Sequence, residues 1–220
     1  MSNYQARAIS SSEILAKNKV LKNTYMLLGA SLIWSGIISY IAMGLNVQPN
    51  LLVFLVGAYG SMFLVHALRN SALGIGAVFL FTGFMGYTLA PLLNAVLEFE
   101  NGGNIISMSL LSTGVIFFAL SGHVLTSKKD YSYLGGMLFV GMITAMLASI
   151  AGLLFNVPAL HLAVSAMFIL ISSGMILFQT SQIINGGERN YLLATIGLYV
   201  TLYNLFVSLL RIFAAFSGKR

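Results

Sequence analysis

Residues 191–216 read YLLATIGLYVTLYNLFVSLLRIFAAF, with Arg211 as their only charge. A helix of about 20 apolar residues crosses the hydrocarbon core of a bilayer, so this stretch is long enough to span one. Its polar residues are not scattered. Gly197, Thr201, Asn204, Ser208 and Arg211 recur at alternating intervals of four and three, which places them on one face of a helix. An apolar helix with a single polar stripe belongs in a bundle, with the stripe turned away from lipid.

Working outward, six further runs have the same character: Thr24 to Leu45, Leu51 to Leu68, Ser71 to Leu97, Ile105 to Thr126, Leu134 to Phe155 and Ala159 to Ile184. Arg69-Asn70 separates the second run from the third, and a charge there is met most cheaply in a surface turn. Composition agrees. The chain of 220 residues is 58% hydrophobic and 7% charged, against roughly 25% charged in soluble domains. These features predict an all-α membrane protein, a seven-transmembrane-helix bundle. Residues 1–23 read as a cytoplasmic N-terminal tail and residues 24–220 as the transmembrane domain. The first run is long enough to be retained as a membrane helix rather than cleaved as a leader.

The net charge of +6 does not point to nucleic acid, because no basic block or stacking motif accompanies it. The basic residues instead report orientation. Arg7, Lys17, Lys19 and Lys22 precede the first span, and Arg69, Lys128-Lys129 and Arg189 follow the second, fourth and sixth. The alternate gaps carry Asn46, Pro49 and Asn50, then Glu98 and Glu100, then Asn156 and Pro158, with no Lys or Arg. The positive-inside rule makes the basic side cytoplasmic, with the N-terminus inside and attraction to anionic membrane lipid. Lys219 and Arg220 break the pattern, since seven crossings put them outside. A full last crossing and a re-entrant last segment both remain open.

In the tail, Ser10-Ser11-Ser12-Glu13 contains the S-x-x-E spacing of a capping box, and Ile14, Leu15, Val20 and Leu21 alternate with Lys17, Lys19 and Lys22. The segment reads either as an amphipathic helix on the membrane surface or as a flexible tail. Within the spans, Ser31, Ser35 and Ser39, Gly141, Ala145 and Ser149, and Gly74, Gly76, Gly83 and Gly86 form small-residue seams where helices approach closely.

Chemistry concentrates in the last two spans. On the sixth, His161, Ser165, Ser172, Gln179 and Gln182 lie on a stripe filled in by Phe168 and Met175. With Thr201, Asn204, Ser208 and Arg211 opposite, it forms either a buried polar path or gate, or a set of interhelical hydrogen bonds that hold the bundle. No catalytic residue is expected. Glu98, Glu100, Asp130 and Glu188 flank turns, no paired carboxylates or nucleotide fingerprint occurs, and Ser121 and His123 point to different sides of their helix. The absence of cysteine removes thiolate metal sites, and His66, His123 and His161 lie on three separate spans, so neither a metal nor a cofactor is expected.

Phe81-Thr82-Gly83-Phe84-Met85-Gly86-Tyr87 with Pro91, Thr126-Ser127-Lys128-Lys129-Asp130, and Leu198-Tyr199-Val200-Thr201 leading to Asn204-Leu205-Phe206 resemble the Bax inhibitor-1 family over nearly the whole chain. From Pro158 through Leu210 the chain is most similar to the family's bacterial inner-membrane branch, modulators of the FtsH protease. The resemblance implies a central last helix wrapped by six others, and an inner-membrane protein that binds and restrains the ATP-dependent protease FtsH. Ser10, Ser11, Ser12, Glu13, Lys17, Lys19 and Lys22 would then form a protease-accessible tail on a slowly degraded bundle. The alternative it implies is a pH-sensitive calcium ion leak, closed by paired aspartates on the last two helices. Here Gln179 and Thr201 stand where that pair would be, and neither titrates nor supplies an anionic oxygen.

Overall fold

The computed structural model describes residues 3–155 and 157–217, apart from the side chains of residues 3–14, 153 and 158. Seven helices follow one another: α1 (Asn3–Gly44), α2 (Leu51–Leu68), α3 (Leu73–Leu97), α4 (Gly102–Ser127), α5 (Leu134–Phe155), α6 (Pro158–Asn185) and α7 (Tyr191–Ser217). Each contains a stretch long and apolar enough to cross a membrane. Several limits fall where the apolar runs end, as at Leu51, Leu68, Leu97, Phe155 and Tyr191. α3 begins later than its apolar run, because Ser71 is used in the turn, where its Oγ accepts from the Leu73 amide at 3.2 Å.

The first span departs most from the sequence reading. The backbone is already helical at Asn3, so the serines of residues 10–12 fall inside α1 and do not start a helix. The side chains of Ser10, Ser11, Ser12 and Glu13 lie outside the described residues. Val20 and Leu21 already pack against the core.

α1 and α3 form the tightest seam. A Cβ on Gly86 would run into the Ser35 backbone oxygen, and one on Gly83 would meet the Trp34 ring nitrogen at 2.7 Å. Two helices can approach this closely only where one of them lacks side chains. Gly76, by contrast, faces open space and takes no part in the seam. Buried Tyr199 of α7 closes the junction. Its hydroxyl donates to Thr82 O at 3.1 Å and pairs with Ser35 Oγ at 2.6 Å, so one side chain ties α7 to both α1 and α3. α5 leans on α6 through Gly141 and Gly174, which receive Ile171 and Leu138.

α7 is the most enclosed span, with 67% of its apolar window buried, and it packs against α1, α2, α3, α4 and α6. α5 packs on α6 alone among the described residues, so six helices around one is not the arrangement. The reason lies in composition. Apart from its small-residue seam toward α6, the surface of α5 is apolar, with Met137, Phe139, Val140 and Leu147 exposed, and needs no second protein neighbour in lipid.

The turns after α2, α4 and α6 lie at one end of the bundle. Asn190 Nδ2 donates to Arg69 O at 2.8 Å and to Asn70 Oδ1 at 3.3 Å, while its Oδ1 accepts from the amides of Leu192 and Leu193 and caps α7. Tyr131 N donates to Ser181 Oγ at 2.9 Å and Gln182 Nε2 to Ser132 Oγ at 3.0 Å, which fastens the segment after α4 to the end of α6. Arg69, Lys128, Lys129 and Arg189 are all exposed at this end. Lys17 joins them. It is half-buried over Gly186, whose φ of +80° ends α6 in the left-handed conformation, and a Cβ there would meet Lys17 Cε at 2.8 Å.

Candidate functional site

The polar stripes of α6 and α7 meet at one point. Thr201 Oγ1 reaches Gln179 Oε1 at 3.2 Å, and it also reaches the Gly197 carbonyl at 2.9 Å, one turn back on its own helix. Gly197 makes room for this pair, since a Cβ there would stand 3.3 Å from Gln179 Nε2. Both groups are uncharged, so the contact is a neutral hydrogen bond that no proton exchange near pH 7 will switch.

Beside the pair lies a cavity of about 300 Å³. Gln179, Thr201, Asn204 and Ser172 supply its polar wall, and Met62, Met142, Phe168 and Met175 its apolar one. His66 and Glu188 also line it, which sets one end of the cavity at the basic end of the bundle. A second cavity of about 300 Å³ adjoins it, sharing Gln179, Glu188 and Gly197 and reaching Gln182.

The remaining stripe residues separate. Ser165 is buried and donates to the His161 carbonyl at 2.9 Å, within its own helix. Ser208 is buried on α7 away from the cavity lining. Arg211 is exposed, as a guanidinium near the end of a span is when its stem covers apolar surface and its head reaches out. Gln182 turns toward Ser132 rather than α7, because the segment after α4 offers it a partner. His66 Nδ1 lies 3.0 Å from the Met62 carbonyl, His123 Nε2 lies 2.9 Å from Tyr131 Oη, and His161 lies against Gly152, so each histidine is placed separately.

Sequence reasoning missed the residues that close the basic end. Asp130 accepts from the Ser132 amide at 2.8 Å and its hydroxyl at 2.6 Å, and Ser181 adds a longer bond at 3.3 Å. The bonds from Ser132 hold the exposed carboxyl below the ordinary carboxylate range, so it is charged at neutral pH. Thr180 was missed too. Its Oγ1 lies 3.3 Å from Ser121 Oγ and 3.4 Å from Tyr25 Oη, which joins α1, α4 and α6. Thr180 sits next to the stripe residue Gln179, and periodicity marks a face without naming what meets it.

With this geometry in place, the family model for inhibitors of apoptosis-promoting Bax1 matches residues 17–218. The chain belongs to this family. Among its relatives, the modulator of FtsH protease YccA of Escherichia coli K12 is 49% identical over 94% of this chain and 96% of its own. An uncharacterised protein of Pseudomonas aeruginosa is 50% identical over 90% of each chain. An uncharacterised membrane protein of Vibrio cholerae is 41% identical over 94% of this chain and 93% of its own. The family match takes in Lys17, the residue whose side chain rests over Gly186.

Proposed function

We propose that this protein is an inner-membrane restraint on the FtsH protease, held at the enzyme as a substrate that is slow to extract. The observation that carries the reading is the near-full-length likeness to a relative named as a modulator of that protease. Two structural features support the manner of action. Helix α1 begins at Asn3, well ahead of the apolar run that opens at Thr24, offering a segment that a cytosolic ATPase can grasp. Behind it stands a bundle whose first span is locked by Gly86 against Ser35 and by the Tyr199 hydrogen bonds. Pulling on α1 therefore works against the tightest seam in the molecule. The neutral Gln179–Thr201 contact offers no carboxylate to a calcium ion and gives no support to a calcium leak closed by paired acids. Catalysis has no part in this reading.

Capture tests it. The tagged protein, solubilised mildly from native membranes, is expected to bring FtsH with it, whereas membranes in which FtsH is present but never co-purifies contradict the reading.

The orientation follows from the basic end, which on this account faces the cytoplasm, with the N-terminus inside. Gly102 is a poor site for a label, because it is buried and a Cβ would strike the Val96 carbonyl. Asn101 is exposed. Cysteine introduced there into this cysteine-free chain is expected to react with an impermeant maleimide from the periplasmic side only. Reaction from the cytoplasmic side would invert the topology. Lys219 and Arg220 lie outside the described residues. The unbroken α7, Tyr191–Ser217, supports a full last crossing over a re-entrant one.

A further inference from the structure

α2 and α5 are the least enclosed spans, with 11% of each apolar window buried, and they do not touch one another among the described residues. The cavity beside Gln179 lies between them, with Met62 of α2 and Met142 of α5 on its outer walls. No described helix closes the gap between α2 and α5, and Ser172, Gln179, Thr201 and Asn204 place polar groups in an otherwise apolar lining. Gln179 Oε1 is met by Thr201, but Gln179 Nε2 and both ends of the Asn204 amide make no hydrogen bond among the described residues. Amide groups facing hydrocarbon without partners are costly, so an occupant that hydrogen-bonds is favoured over an acyl chain. A space of about 300 Å³ is too small for a helix but accepts one long side chain. Glu188 is in the lining and no Lys or Arg is, which disfavours an acidic side chain.

We propose that a transmembrane helix of FtsH lies along the α2–α5 opening and inserts a neutral or basic hydrogen-bonding side chain against Gln179 and Asn204. This rests on the reading that the protein binds the protease, and adds where it does so. Polar residues at helix interfaces in membranes serve as such anchors, because their alternative partners are few.

Crosslinking in native membranes separates the two claims. Single cysteines replace Met62 and Met142 at the opening, or the exposed Leu111 and Phe118 on α4, and carry a photoreactive maleimide. Adducts with FtsH are expected from positions 62 and 142 and not from 111 or 118. Asn204→Leu and Gln179→Leu are each expected to weaken capture of FtsH about 3- to 30-fold, the range for one interhelical hydrogen bond in a membrane. Capture with adducts arising equally from all four positions, or from α4, overturns the docking site while leaving the binding intact. Adducts joining only two copies of this chain overturn it in favour of self-association. Absence of capture by the unaltered protein removes the binding reading, and the docking site with it.

Discussion

Gly86→Leu is expected to shorten the half-life of this protein sharply in cells that contain FtsH, and to leave it unchanged in cells without the protease. The new side chain meets the backbone oxygen of Ser35, which cannot rotate away, so α1 and α3 must separate. Separation also pulls Ser35 and the Thr82 carbonyl from the Tyr199 hydroxyl, which leaves buried polar groups unpaired. Overpacking and lost hydrogen bonds together cost about 3 kcal/mol. That raises the population of loosened bundle by roughly a hundredfold. Degradation that waits for the bundle to open tracks this population. A half-life that does not change in the presence of FtsH would show that packing of the first span is not what slows extraction.

The second large effect concerns charge. The Gln179→Asp, Thr201→Asp double variant is expected to acquire a pH dependence that the native protein lacks at this contact. The native groups lie 3.2 Å apart and are neutral, so any ion flux should vary little between about pH 6 and 8 through this pair. Two carboxylates at a similar separation cannot both ionise cheaply, and one pKa rises toward neutrality. The sign follows from that rise. Below the raised pKa the pair shares a proton and α6 stays against α7. Above it two like charges push the helices apart, and the contact weakens as pH rises. Calcium flux in liposomes across this range checks both proteins. A native flux that already changes steeply with pH would place a titrating group elsewhere on the path, with His66 and Glu188 in the cavity lining the first to replace.

The spans were legible because each apolar run ends in charges, prolines, glycines or amides, and the Gln179–Thr201 meeting was legible because both residues fall on polar stripes. What was hidden has a common cause. In lipid the outer face of a helix is as apolar as its inner face, so hydrophobicity cannot tell which helices touch. Nothing in its sequence says that α5 touches only α6 among the described residues, or that Gly76 lies outside the seam that Gly83 and Gly86 build. The start of α1 was hidden for another reason. The S-x-x-E spacing is a local signal, and a helix that continues through it carries the same residues. Asn190 reads as a loop amide in sequence. Only the folded chain shows it capping α7 while holding the turn after α2.

The central claim is restraint through a grasped but slowly extracted chain, and it is tested most directly with purified components. FtsH is reconstituted with a labelled membrane substrate, ATP and either the full-length protein or a form lacking residues 2–16, which keeps Lys17 over Gly186. The account predicts that the full-length protein slows loss of the labelled substrate, that the truncated form does so far less, and that the truncated form itself survives longer. Equal slowing by both forms, or none by either, would contradict it.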